Sequence, residues 1–214
     1  FVEGFYSKPR VDKQLLEQYH EGLICLSACL AGEIPQALLA GDYDRAKSTA
    51  LWYQDLFGKG NYYIELQDHG LEEDNIVLPQ LIKLARETGI PMAATNDSHY
   101  LRKEDSKMQA ILLCIQTGKT IQDADRMEFQ TDEFYVKTTD EMYELFSMVP
   151  EACENTQKIA DQCNFDFEFG HTKIPYYKAP GGMDNQEFFE KLCWEGLERR
   201  YGSDVPQANK DRLN

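Results

Sequence analysis

The sequence lacks the features that mark several common protein classes. It has no repeated C-x-x-C pair: the six cysteines, at 25, 29, 114, 153, 163 and 193, are scattered through segments that read as helices and strands. That excludes a zinc ribbon and a secreted disulfide scaffold, and the thiols read as mostly buried small apolar groups in a reducing compartment. No apolar run approaches the length of a membrane span, and the opening FVEGFYSKPR lacks a signal-peptide pattern. The expectation is a cytoplasmic protein with no membrane partner. Basic residues are scarce: 22 Lys and Arg against 37 Asp and Glu leave a formal net charge of −15. A surface that grips nucleic acid by neutralising phosphates needs clustered Lys and Arg, so the chain is not by itself a general DNA-binding module. Divalent cations held by an acidic protein can still reverse the local field and admit a phosphate ester. An initiator Met is missing and both ends fall mid-passage, which reads as a piece of a longer protein.

What is present is enough for a core. Hydrophobic content of 42% with 12% aromatics, across 214 residues, allows one substantial domain, or one domain and the start of another. Residues 1–10 read as a loop and Val11–Tyr19 as a helix. Gly22–Ala28 has the continuous apolar run of an interior parallel strand. Helices follow at Glu33–Leu39 and Tyr43–Phe57, the second capped by Asp42. Then come a strand at Tyr62–Leu66, a helix over Leu71–Thr88 closed by Gly89, and a strand in GIPMAA. Strands alternating with helices predict an α/β fold with parallel strands, as a barrel or a layered sheet. Further on, the spacing predicts a helix over Glu104–Gln116 with Met108, Ile111, Leu112 and Ile115 on one side, and a brief strand at Phe134–Lys137. Helices are expected at Thr139–Phe146 and Pro150–Gln162, then an aromatic connector over Asn164–Gly182. A last helix, Gln186–Tyr201, is expected to pack Phe188, Phe189, Leu192, Trp194 and Leu197.

The chemistry concentrates in GIPMAATNDSHY, Gly89–Tyr100, where the apolar run stops at Asp97 and His99. In extended chain, residues i and i+2 point the same way, and the C-terminal end of a parallel strand is a catalytic address. Taken alone, D-x-H also fits an Asp capping the next helix and a His bonded to a loop carbonyl. Cys29 sits where the strand over 22–28 should finish, and also fits a buried strand-end thiol. Glu65 and His69, in YYIELQDHG, lie near another strand end. There they can form an outer shell that orients ligands or a substrate phosphate, or serve as a helix-capping acid and a surface histidine.

The phrases EGFYSKPRVD, GLICLSACLAGEIPQALL, FGKGNYYIELQDHG, GIPMAATNDSHYLRKED, EFYVKTTDEM, PEACENTQKIADQCN and KIPYYKAPGG keep their order across nearly the whole chain. Together they resemble the bacterial replicative DNA polymerase III alpha-subunit family, in the later part of its PHP domain. The resemblance implies an incomplete PHP-type distorted β/α barrel with extra C-terminal helices leading towards the polymerase domain, 1–180 holding the C-terminal part of the PHP domain and its following helices and 181–214 starting the polymerase region. It also implies metal ligands at Cys29, from the LSxC phrase, and at Asp97 and His99, from TNDxHY. Zinc, manganese or iron are the metals implied there, with magnesium for the polymerase site beyond the chain. In active family members this domain is a metal-dependent 3′-to-5′ exonuclease; in others it has lost ligands and serves as a scaffold. The family's HxHT and TDH motifs do not occur here and are expected ahead of Phe1, as the polymerase aspartates are expected after Asn214, which leaves the chain inactive alone. Implied partners are DNA, deoxynucleotides, the sliding clamp, and exonuclease or clamp-loader subunits. A stand-alone PHP phosphoesterase is a weaker alternative, because the chain continues past the barrel.

Overall fold

A computed structural model describes residues 5–172 and 174–213. The chain forms two compact units, Phe1–Asn164 and Phe165–Asn214.

The first unit opens with two short antiparallel strands, β1 (Phe5–Tyr6) and β2 (Lys8–Pro9), where the sequence reads as loop. Ser7 makes the reversal by adopting φ 61°, a left-handed turn that no glycine announces. Helix α1 (Lys13–Tyr19) starts at Asp12, whose carboxylate accepts the Leu15 N–H at 2.9 Å.

Three parallel strands follow in the order β3 (Cys25–Leu26), β4 (Tyr62–Leu66), β5 (Met92–Ala94). Their register pairs Leu26 with Tyr63, and Glu65 with Ala93. The central strand β4 is buried at four of its five positions, as a strand covered on both faces requires. β3 is shorter than the sequence predicts and lies at an edge of this sheet rather than inside it: Leu23 is half exposed, and Ala28 already turns away at φ 68°.

Helices α2 (Glu33–Leu39), α3 (Tyr43–Phe57) and α4 (Glu72–Thr88) pack on one another, and α3 and α4 also pack on β4. They contribute Ile34, Leu38, Ala46, Ala50, Leu81 and Leu84 to the core. Gly89 ends α4 at φ 70°, a left-handed cap, and so releases the chain into β5. Helix α7 (Pro150–Gln162) lies along β5, where the buried Asn155 donates from Nδ2 to the Met92 carbonyl at 2.8 Å. Before it, α6 (Thr139–Leu145) begins at Thr138, whose N–H and hydroxyl both donate to Glu141. Those bonds, with one from the Tyr135 hydroxyl, hold the Glu141 carboxyl down at about 2.

Three expectations are corrected. Residues 134–137 form no strand, only a single bridge between Tyr135 and Tyr100, because the Tyr135 carbonyl accepts from the Asn96 and Ser98 side chains. Helix α5 (Ser106–Thr117) turns Leu113 and Cys114 inward and leaves Met108, Ile111, Leu112 and Ile115 exposed; helical spacing marks a stripe but not which element covers it. Of the cysteines, Cys114 and Cys153 are buried, Cys25, Cys29 and Cys193 are half-buried, and Cys163 is exposed.

The second unit holds a tight turn at Pro180–Gly182 and helices α8 (Asn185–Tyr201) and α9 (Gln207–Leu213). Asp184 caps α8 by accepting from Gln186 N–H at 2.8 Å. Of the five residues expected to pack along helix α8, Phe189, Leu192 and Trp194 are 60%, 48% and 41% exposed, whereas Phe188 and Leu197 are half-buried, with Phe188 stacked on Tyr177.

Candidate functional site

Each parallel strand hands over to polar residues at its C-terminal end: Ser27 and Cys29 after β3, Gln67 and His69 after β4, Thr95 to His99 after β5. Glu65, one residue before the end of β4, joins all three. Its Oε2 accepts the Ala28 N–H at 3.0 Å. Its Oε1 accepts the Thr95 hydroxyl at 2.5 Å and the Gln67 amide at 3.1 Å. Its own N–H donates to the Ser27 hydroxyl at 2.8 Å. Three charge-assisted bonds on one carboxylate thus fix the turn before Cys29 to the one before Asp97.

Both turns are tightly wound. Ala28 and Asp97 adopt φ 68° and φ 43°, a strained region for residues other than glycine. Gly32 approaches the first turn so closely that a Cβ on it would lie 2.6 Å from the Ser27 carbonyl oxygen. The Cys29 side faces a cavity of about 10 Å³ shared with Glu65, Gln67 and Asp74, room for one water at most. Nearby, burial and the Glu65 charge push the Cys25 thiol up to about 11.

Asp97 and His99 stand together after β5. The Asp97 Oδ1 and His99 Nε2 are 3.4 Å apart, and each side chain is a little over one-third exposed. The His99 ring lies 4.7 Å from the Phe129 ring and 5.9 Å from Phe134; the His99 backbone N–H donates to the Phe134 carbonyl at 2.8 Å. Asn96 secures the same segment, its Nδ2 donating to the carbonyls of Glu133 and Tyr135.

His69 is buried, not on the surface. Its Nε2 bonds the Asn96 carbonyl at 2.8 Å, which places the ring proton on Nε2. The ring stacks on Phe134 at 4.1 Å, and its backbone N–H donates to the buried Asp74 at 2.9 Å. Through Phe134 and Asn96, His69 supports the loop that carries Asp97 and His99.

Two ligands bonded to one tetrahedral zinc ion at roughly 2.0 Å stand about 3.3 Å apart. The Asp97–His99 pair therefore fits as two ligands of one ion. Cys29 is not gathered with them: among the described residues no group of three or more His, Cys, Asp or Glu is arranged to hold a metal. Ser27, Gln67, Thr95, Asn96, Phe129 and Phe134 were missed in the sequence, although a polar residue directly after each strand's last apolar one signals the first three.

Residues 1–69 match the family model described as PHP domain. Across 99% of its length the chain is 44% identical to DNA polymerase III subunit alpha of Borreliella burgdorferi, and across 94% it is 48% identical to that of Treponema pallidum. The Thermus aquaticus subunit is 40% identical over 97%. The chain is related to one segment of DNA polymerase III subunit alpha. It spans 18%, 17% and 18% of those three alpha subunits, and the strand-end residues described above all lie inside the segment shared with them.

Proposed function

We propose that the chain is the later part of the PHP domain of a bacterial replicative DNA polymerase, with residues 1–180 continuing an incomplete β/α barrel and 181–214 opening the polymerase region. In the intact subunit its strand-end residues serve 3′-to-5′ excision from DNA beside polymerisation. The observation that carries this reading is the similarity to polymerase III alpha subunits over nearly the whole chain. The short Asp97–His99 spacing at a parallel strand's C-terminal end supports it.

Asp97 and His99 bind a divalent ion, zinc, manganese or iron, and Cys29 contributes from the end of β3, across β4 from them, as part of a larger set. Such an ion supplies hydroxide near neutral pH and stabilises charge on a phosphodiester. The chain's residues set the geometry. Phe129 and Phe134 hold the His99 ring, Asn96 and His69 hold the loop, and Glu65 holds the two turns in register. DNA, deoxynucleotides, the sliding clamp, and clamp-loader or exonuclease subunits are the partners of the intact subunit, with magnesium at its polymerase site.

A second reading, a non-catalytic scaffold for the polymerase, draws on one observation: Cys29 faces a nearly filled space and stands apart from the Asp97–His99 pair. One experiment separates the two. Asp97→Asn in the intact subunit is expected to lower excision from a single-stranded 3′ end by about a hundredfold while primer extension is retained. Unchanged excision, or extension lost together with thermal stability, would favour the scaffold.

A further inference from the structure

Phe129 has two neighbours of different kinds. One side meets His99 and Phe134, with ring centroids 4.7 and 4.5 Å away. It also lines a cavity of about 380 Å³, together with Tyr100, the residue that follows His99. The cavity and the Asp97–His99 pair therefore share an aromatic wall. Its volume lies within the range of about 300–1,000 Å³ typical of small-molecule sites.

Polar residues make up most of its lining, and Tyr100 among them is engaged, its hydroxyl accepting the Phe134 N–H. Gln130 and Lys107 line the cavity, and among the described residues neither side chain is engaged in a hydrogen bond or ion pair. Two carboxylates lie on its wall: Glu128 pairs with Arg126, and Asp132 stands 3.5 Å from Lys103, which it shares with Glu133. Thr131 donates its hydroxyl to the His69 carbonyl at 2.8 Å, which leaves its oxygen lone pairs as acceptors. Such a space suits a group with a flat π face, hydrogen-bonding edges and one negative charge.

A nucleotide has those three properties. Bases stack on aromatic rings whatever their sequence, an amide can pair with a base edge, and an ammonium serves a phosphate as a point charge. We propose that this cavity is a nucleotide subsite. It takes the terminal deoxynucleotide of a single DNA strand, with the base on Phe129, its edge towards Gln130 and a phosphate near Lys107, next to Asp97 and His99. This rests on the reading of the strand-end site as one that acts on DNA.

The test uses the intact subunit and deoxyadenosine monophosphate as probe, with binding followed by saturation-transfer NMR. Wild type is expected to bind saturably. Ala110→Leu fills the cavity from α5, a side distinct from the His99 ring, and Phe129→Leu removes the stacking face; each is expected to weaken binding about tenfold. Ala110→Ser, which adds only a hydroxyl, is expected to keep it. In excision assays Ala110→Leu should raise KM for a single strand with little change in kcat. Absence of binding to wild type, or equal affinity in all variants, overturns the subsite. Cavity-dependent binding in a subunit that excises nothing upholds the subsite and instead defeats the nuclease reading.

Discussion

Glu65→Ala is expected to destabilise the first unit by about 3 kcal/mol, with Glu65→Gln costing about 1 kcal/mol. The carboxylate accepts from Ala28 N–H, the Gln67 amide and the Thr95 hydroxyl. Hydrogen bonds to a charged acceptor contribute more than neutral ones, and donors left unmatched at a half-buried position add their own cost. Glutamine keeps one acceptor oxygen but turns an NH₂ towards a donor. Ala28 makes the loss larger, because its φ of 68° persists only while its N–H is held. Urea unfolding followed by circular dichroism measures both variants. Equal stability of Glu65→Ala and wild type would show that the strand ends are held by packing alone. The same variant is expected to lower excision in the intact subunit, since Cys29 and Asp97 follow the two turns that Glu65 joins.

Leu84→Ala is expected to cost about 3 kcal/mol, with Ile76→Ala changing stability by less than about 0.5 kcal/mol. Both residues lie on α4, yet Leu84 is fully buried among the helices that cover the sheet, and Ile76 is 52% exposed. Deleting buried methyl groups forfeits their transfer energy and leaves a cavity that packed neighbours fill only partly. Urea midpoints distinguish the two sites, and equal effects would contradict the placement of α4.

The sequence made the α/β core legible because its signals there are redundant. Asp42 before Tyr43–Phe57, Gly89 after α4 and the apolar run of Tyr62–Leu66 each mark a boundary that the structure keeps. Where one signal stood alone it misled. The apolar spacing in α5 does not say which element covers it, and the strand preference of Phe134–Lys137 lost to side chains that capture the Tyr135 carbonyl. Asp97 and His99 were legible as neighbours from their spacing, but not for the reason expected: the strand ends at Ala94 and Asp97 adopts φ 43°, so a left-handed turn rather than extended chain brings them together. The role of Glu65 as a three-strand clamp was not, because it depends on register between segments 30 to 40 residues apart. Phe129 was silent for the same reason: nothing local ties it to His99.

The most direct test of a metal-dependent strand-end site is the divalent-metal content of the purified intact subunit, by elemental mass spectrometry, beside its Asp97→Asn variant. Near-stoichiometric zinc, manganese or iron in wild type, reduced in a variant that remains folded, is the result predicted. Metal-free wild type, or equal metal in both proteins, would contradict it.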